Sequence, residues 1–418
     1  MELNLLGLII LVALLLLWNL DFVVTLLNLK NQSPTPPDEL ADHFDAERFA
    51  KSHAYTQASS RFDIISSIVS LFSLLIFWTV GGFPWLDGLA RSWFDSELLA
   101  GLAFLTMLFA GHYVISLPLS IYSTFVLEEK FGFNKTTPKT FIMDQIKSLL
   151  LSALLGLPLA AGLLWIFGNV PMAWLWAWLL FTVVQLLLMW LAPAFILPLF
   201  NKFEPMEEGE LREEIEKIAV KCDFPLTEIS VMDGSKRSTK ANAYFTGFGK
   251  NKKIALYDTL VEEQTTSELV AVLAHEIGHF KCRHIIQRLV VSIIQSGALF
   301  FLLGLAINPD GAFARELFEA FGLAPDRISP HVGLVLFGIL FSPASRLLGI
   351  FSNAWSRRHE FEADAFAAKA MGDPQPLASA LKKLSAKNLS NITPHPLRVF
   401  LDYSHPPILQ RLHALNNH

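Results

Sequence analysis

The sequence contains few charged residues for a chain of 418 residues. Only 17% of its residues are charged and 52% are hydrophobic, whereas about a quarter of the residues in soluble domains are charged. This composition excludes an ordinary soluble protein and indicates a membrane protein. The formal net charge of −5 offers no basic surface of the kind that nucleic acids bind, so no nucleic-acid partner is expected.

Cysteine is also scarce, and the N-terminus lacks the features of a cleaved signal peptide. The two cysteines, Cys222 and Cys282, are too few for a disulfide framework, which fits a reducing compartment or indifference to redox state. A signal peptide begins with positive charge and ends at small residues. This chain begins Met1-Glu2 and stays mostly apolar to Leu29. We therefore expect a retained transmembrane helix.

Long apolar segments, by contrast, are abundant. A helix needs about 17–25 apolar residues to span the hydrocarbon core of a bilayer. Seven segments meet this length: Leu5–Leu29, Phe62–Leu86, Leu98–Val126, Ser148–Gly168, Met172–Leu199, Ile285–Ile307 and His331–Phe351. The last two contain Arg288 and Arg346, which either face an aqueous interior or lie near helix ends and extend to the membrane surface.

Basic residues in short loops indicate the orientation, because cytoplasmic loops are enriched in Lys and Arg. The loops after the first and third segments contain Lys30, Arg48, Lys51, Arg61, Lys130, Lys135, Lys139 and Lys147. The loop after the second segment contains only Arg91, and the loop after the fourth contains none. We therefore expect the N-terminus outside and the C-terminus in the cytoplasm.

Two regions are soluble in character, so the chain divides into four parts. Residues 211–224 have apolar positions at helical spacing, and three strand-like runs follow them, at 228–233, 241–248 and 252–258. The four parts are a transmembrane region at 1–200, a cytosolic region at 201–284, two transmembrane helices within 285–351, and a helical region at 352–418 broken at 373–374 and 405–407.

The run TTSELVAVLAHEIGHFKCRH predicts a helix with a metal-binding face. Thr265 and Glu268 have the spacing of an N-terminal capping box. His275 and His279 are one turn apart, so both imidazoles point to the same side, as zinc ligands do in H-E-x-x-H proteins. Glu276 lies near enough to accept a proton from water activated by the metal. The alternative is a pair of buried histidines with a structural role.

A catalytic zinc site requires a third protein ligand. The metzincin spacing, which places another histidine six residues after the second, is absent, and His284 lies off the metal face. In SRRHEFEADAFAAK, Glu360 and Asp364 are four residues apart and share a helix face, whereas Glu362 points away from them. This spacing favours Glu360 as a ligand and Asp364 as the carboxylate partner of a ligand histidine. The alternative is an exposed charged helix.

Six stretches occur in the order known from one family: EEKFGFNKTT (128–137), PLFNKFEPM (198–206), ANAYFTGF (241–248), the HEIGH helix, SRRHEFEADAFA (356–367) and YSHPPILQRL (403–412). With them, nearly the whole chain resembles the type I CAAX prenyl proteases, integral-membrane zinc metalloproteases of the a-factor-converting type. The resemblance implies an all-α multi-pass membrane protein of about seven transmembrane helices. These helices would form a barrel around a water-filled chamber, with a small α+β zincin-like metalloprotease domain.

The resemblance also implies a role for each matching residue at the metal. It assigns one Zn²⁺ to His275, His279 and Glu360, the general base to Glu276, and the carboxylate behind a ligand histidine to Asp364. All five residues belong to the HEIGH helix or to the SRRHEFEADAFA stretch.

Further roles implied by the resemblance concern the substrate. Asn242, followed by Ala243 and Tyr244, resembles an edge strand that holds the substrate backbone by strand addition. His405, in Ser-His-Pro-Pro, resembles a histidine that helps to stabilise the oxyanion. The alternatives are a turn residue for Asn242 and a helix-end cap for His405.

The expected function is peptide-bond hydrolysis in the membrane, on peptides of the CAAX type with a prenylated C-terminus or, alternatively, on membrane proteins in general turnover. A transporter or channel with a structural zinc site is the rival from another class, but such a site needs four protein ligands. A catalytically dead scaffold is expected to lose Glu276, which is present. The terminal sequence LHALNNH lacks a basic retrieval signal, so the bacterial inner membrane and the endoplasmic reticulum both stay open as locations.

Overall fold

The apolar runs form helices because a helix satisfies its own backbone hydrogen bonds in hydrocarbon. The computed structural model describes residues 3–246 and 252–417. Its helices are α1 (Leu5–Lys30), α2 (Ala46–Thr79), α3 (Gly82–Trp93), α4 (Glu97–Tyr122), α5 (Glu129–Phe131), α6 (Pro138–Asn169), α7 (Ala173–Leu191), α8 (Leu197–Phe200), α9 (Glu210–Lys221), α10 (Asp258–Val261), α11 (Thr266–Lys281), α12 (His284–Ile307), α13 (Ala312–Ala320), α14 (Pro330–Met371), α15 (Gln375–Lys387), α16 (Pro396–Asp402) and α17 (Ile408–Leu415).

Within these described residues, seven helical stretches are long and apolar enough to cross a membrane. Two of the seven are continuous through π-helical segments, which join α4 to α5 at Ser123–Glu128 and α7 to α8 at Ala192–Ile196. The stretches are α1, α2, α4 to α5, α6, α7 to α8, α12 and α14. Each of the seven predicted segments therefore overlaps one membrane-length helix.

The prediction was wrong about the end of the second segment, Phe62–Leu86. The helix α2 ends at Thr79, and the separate helix α3 begins at Gly82. Between them Gly81 has a φ of +78°, in the left-handed region that glycine adopts without steric cost. The apolar run continues across this turn, so hydropathy gave no sign of it.

Two hydrophobic cores lie at opposite ends of the membrane helices. At one end, the Trp78 ring stacks on Phe321 with ring centroids 4.3 Å apart, and the Trp78 indole N–H donates to the Ala320 carbonyl at 2.9 Å. At the other end, buried residues of α9, α11, α15 and α17 share one core with Phe44 and Phe49. Three regions therefore lie on the same side of the membrane helices: the loop after α1, the region around the strands and the C-terminal region. A chain that crosses the membrane seven times, as predicted, requires this arrangement.

The soluble region contains a four-stranded mixed sheet. Its strands are β1 (Phe203–Pro205), β2 (Leu226–Met232), β3 (Ala243–Thr246) and β4 (Lys252–Tyr257). The spatial order is β1-β2-β4-β3; β2 and β4 are parallel, and the other two pairs are antiparallel. The three predicted strands are confirmed, except that residues 247–251 lie outside the described range. The three-residue β1 was missed because it is too short to show alternation.

The two arginines at membrane depth have partners inside the protein. Arg346 donates to Asp21 at 2.8 Å and to the Leu401 carbonyl at 3.3 Å, and it also pairs with Asp402. Arg288 donates to the Ser356 hydroxyl at 3.0 Å. Each arginine is therefore held by polar groups in or beside the C-terminal region.

One predicted boundary falls inside a continuous element. The division at residue 351 lies within α14, whose 42 residues run from the membrane core to the soluble core without a break. The membrane helix therefore carries Glu360 rigidly into the soluble region.

Candidate active site

The start of α11 is fixed as the capping box predicted. The Thr265 N–H donates to the Glu268 carboxylate at 2.8 Å, and the Glu268 N–H donates to the Thr265 hydroxyl at 3.4 Å. Glu268 also pairs with Lys383 at 2.7 Å. Leu269, Leu273 and other residues of the helix are buried in the soluble core. The helix is therefore held firmly before it reaches the two histidines.

Gly278 allows α11 to approach α14 closely. A Cβ atom at this position would lie 3.0 Å from the Ala363 Cα and 3.1 Å from the Ala363 carbonyl oxygen, which is tighter than nine in ten real Cβ contacts. Because the two backbones nearly touch, Glu360 lies directly across from His275 and His279. The role of this glycine was not predicted from the sequence, because it depends on contact with a distant helix.

The three predicted ligands converge. The His275 Nε2 lies 3.2 Å from the His279 Nε2 and 3.4 Å from one Glu360 oxygen, and the His279 Nε2 lies 3.4 Å from the other. Zinc bound tetrahedrally at about 2.0–2.1 Å places neighbouring ligand atoms about 3.3 Å apart. Glu360 is 3% exposed and His275 is 7% exposed. The donor set therefore fits a zinc ion in both spacing and chemistry.

Asp364 lies behind His275, where sequence analysis expected it. Its carboxylate is 2.8 Å from the His275 Nδ1, so that nitrogen donates its proton and the Nε2 lone pair faces the other ligands. Arg411 binds the same carboxylate through two hydrogen bonds of 2.6 and 2.8 Å. Arg411 had not been singled out from the sequence, although it lies within the YSHPPILQRL stretch; a cation on the apolar face formed by Ile408, Leu412 and Leu415 was the available signal.

The electrostatics of the site favour a bound cation. Burial disfavours the protonated ring of His275, but hydrogen bonds to Asp364 and Glu360 outweigh burial and raise its pKa to about 9. These carboxylates therefore attract positive charge to the point where the side chains of His275, His279 and Glu360 meet. Burial also raises the pKa of Glu276, although the neighbouring histidines oppose the shift. A carboxylate that binds protons more readily than usual suits a general base.

His405 lies at the edge of the site. Its Nε2 is 3.5 Å from a Glu360 oxygen, and its Nδ1 is 3.0 Å from the Ser404 hydroxyl. The side chain is 66% exposed. It is therefore near the metal ligands and open to a substrate.

The predicted substrate strand lies at the edge of the sheet. Ala243 pairs with Leu256 and Tyr244 pairs with Ala255 on one side of β3, and β3 packs beside α11. Asn242 is exposed, and its side-chain oxygen accepts the Ala243 N–H at 2.9 Å. Among the described residues, β3 has a neighbouring strand on only one side. The other side can accept an extended peptide.

Apolar helices of membrane length and a largely buried cluster of two histidines and one glutamate, with the carboxylate of Glu276 next to His275 on α11, define a membrane-embedded metallopeptidase. Residues 25–202 match the family described as CAAX prenyl protease N-terminal, five membrane helices, and residues 205–418 match peptidase family M48. The chain therefore belongs to peptidase family M48 and is a metalloendopeptidase of the CAAX prenyl protease type.

Relatives match this chain over nearly their whole length. CAAX prenyl protease 1 of Saccharomyces cerevisiae is 39% identical over 400 residues, which cover 91% of this chain and 88% of the relative. The CAAX prenyl protease 1 homolog of Homo sapiens is 36% identical, with the same coverages. The crystal structure of S. mikatae Ste24p superposes with a TM-score of 0.90 at 38% identity and covers 99% of this chain and 100% of that one. The predicted fold class is confirmed.

Proposed function

We propose that the chain is a zinc-dependent endopeptidase whose single metal ion is held by His275, His279 and Glu360. The observation that supports this most directly is the spacing of 3.2–3.4 Å between their donor atoms, which fits one tetrahedral ion. Three protein ligands leave a fourth position for water or substrate. A structural zinc site in a transporter or channel would instead be closed by a fourth ligand.

Zinc, when bound, supplies a Lewis acid that polarises the scissile carbonyl and makes water a nucleophile near neutral pH. Glu276 takes the proton of the attacking water and delivers it to the leaving amine. Asp364, held by Arg411, keeps the His275 Nδ1 protonated, so the lone pair of the Nε2 stays available to bind the metal. His405 then stabilises the negative charge that develops on the carbonyl oxygen.

We propose that the substrate binds as an added strand along β3. The free edge of β3 at Asn242, Ala243 and Tyr244 would hold the extended peptide, and the adjacent α11 would place the scissile bond over the metal. Backbone pairing is largely independent of sequence. This mode therefore suits an enzyme that accepts peptides of varied sequence.

The proposed substrates are peptides with a prenylated CAAX-type C-terminus, which the relatives are named for cleaving. A broader role in membrane-protein turnover is the alternative. The test is metal analysis of the purified chain combined with cleavage of one CAAX peptide in farnesylated and unmodified forms. One zinc per chain with preferred cleavage of the farnesylated peptide would support the proposal. Equal cleavage of both would favour the broader role, and absence of zinc would contradict the metal assignment.

We expect His405→Ala to keep its zinc and to slow turnover about a hundredfold, because loss of one oxyanion donor costs about 10²–10³ in rate. Transition-state binding is lost while ground-state binding stays, so kcat falls and KM changes little. Steady-state kinetics and metal analysis check both parts. Loss of zinc would make His405 a ligand, and unchanged turnover would return it to a structural role.

The chain is an integral multi-pass membrane protein, and we propose that its soluble core faces the cytoplasm in the endoplasmic reticulum or the bacterial inner membrane. Single cysteines at Asp95 and Asp310 should then react with an impermeant reagent from outside. A cysteine at Lys51 should react only after the membrane is opened. Labelling of the Lys51 position from outside would reverse the orientation.

A further inference from the structure

The second ligand histidine, His279, has a partner behind it that differs from the carboxylate behind His275. Its Nδ1 lies 2.9 Å from the Nδ1 of His284. The His284 Nε2 lies 3.0 Å from a Glu362 oxygen, and the Arg358 Nε donates to the other Glu362 oxygen at 2.9 Å. These contacts therefore form a continuous hydrogen-bond chain from Arg358 to His279, the proposed zinc ligand.

The donors and acceptors of these side chains allow only one direction for the series of hydrogen bonds. A neutral imidazole has one N–H and one lone pair. If the His279 Nε2 faces a metal, its proton must be on Nδ1, and that N–H donates to the lone pair of the His284 Nδ1. His284 then carries its proton on Nε2 and donates it to the Glu362 carboxylate. Every hydrogen bond is satisfied in this arrangement.

The backbone is shaped to bring His284 under His279. Helix α11 ends at Lys281 and α12 begins at His284. Between them Arg283 has a φ of +58°, a conformation that residues other than glycine rarely adopt. The reversal turns His284 back toward the histidine five residues earlier. The ring is 1% exposed, so neighbouring side chains enclose it.

A second metal site is the other interpretation of this cluster, because His284, His359 and Glu362 all lie close together. The rings of His284 and His359 are stacked, with centroids 3.9 Å apart and planes 8° from parallel. The lone pair of an imidazole nitrogen lies in the plane of its ring. Nitrogens in two parallel planes cannot both point at one ion, so the stacking holds the His284 ring in place without building a metal site.

We propose, resting on the zinc site proposed above, that His284 and Glu362 are positioning residues for the metal ligand His279. They fix its tautomer and its ring orientation, as Asp364 does directly for His275. The two ligand histidines are therefore both anchored to a carboxylate, one directly and the other through an additional imidazole. Outer partners of this kind typically contribute about 10–100-fold in metal affinity.

The test measures the zinc dissociation constant of the full chain in detergent by chelator competition. His284→Phe keeps the ring and its stacking but removes the acceptor, so we expect affinity to fall about 10–100-fold. His284→Asn should recover part of that loss, because its oxygen is bonded to Cγ as Nδ1 is and accepts the same proton. His359→Phe alters the other ring of the stack and should leave affinity near that of the wild type.

A coupling measurement separates the hydrogen-bond chain from general damage to the fold. Glu362→Gln should weaken zinc binding in the wild-type background. It should not weaken binding further in His284→Phe, because both substitutions interrupt the same hydrogen-bond chain. Zinc should also raise the thermal unfolding temperature less in His284→Phe than in the wild type.

Equal losses in His284→Phe, His284→Asn and His359→Phe would show a packing role and overturn the inference. Unchanged affinity in His284→Phe would overturn it as well. If the wild type itself bound no zinc, the proposed function would fail, whereas tight binding by both the wild type and His284→Phe would remove only the positioning role.

Discussion

Glu276→Gln is expected to bind zinc as the wild type does and to lose peptidase activity by about 10²–10⁴-fold, the usual contribution of a positioned acid–base group. The amide keeps the size of the side chain but cannot accept the proton of the attacking water. Because the proposed ligands His275, His279 and Glu360 are untouched, metal content should stay at one per chain. Turnover of a cleavable peptide and metal analysis of the same preparation give the two numbers.

A matched control for this variant is Glu262→Gln, the same change at an exposed carboxylate just before α11. It should cleave the peptide at the wild-type rate. If Glu276→Gln also cleaved it at nearly that rate, water activation would have to be assigned to another group. A Glu276→Gln protein without zinc would show instead that the carboxylate helps to hold the metal.

Glu360→Ala should lose both zinc and activity. In the proposed site this side chain is the third metal ligand. It is only 3% exposed, so water has little access to the position it would leave. We expect zinc affinity to fall by more than the roughly 10–100-fold that outer partners contribute, because a direct ligand is lost. Chelator competition and peptide cleavage check the two effects.

The variant Glu360→Gln separates ligand loss from loss of packing, since it preserves the volume of the buried side chain. It should lose zinc nearly as completely as Glu360→Ala while staying folded. Full zinc occupancy in Glu360→Ala would give the ligand role to Glu362 or His359, which lie on the same helix. Good binding by Glu360→Gln alone would mean that shape, not charge, selects this position.

Local periodicity was enough to predict several features of the fold and the site. Helical spacing puts His275 beside His279 and puts Glu360 on the same face as Asp364, so these pairs could be predicted without knowledge of the fold. Hydropathy located seven apolar segments, because each membrane helix satisfies its own backbone. The capping box at Thr265 is likewise encoded within four residues.

Which of these local features come into contact depends on the packing of elements that are far apart in the sequence. Arg411 reaches Asp364 across 47 residues of sequence, and Glu362 reaches His284 across 78. The first contact joins α17 to α14, and the second joins α14 to α12. The close approach of α11 to α14, which Gly278 permits by lacking a side chain, likewise brings Glu360 across from His275 and His279. From helical spacing alone, His284 and Glu362 were excluded as ligands. His284 lies off the face that carries His275 and His279, and Glu362 lies off the face that carries Glu360 and Asp364. In the folded protein the two side chains point toward each other. The sequence pattern within either helix does not predict this contact.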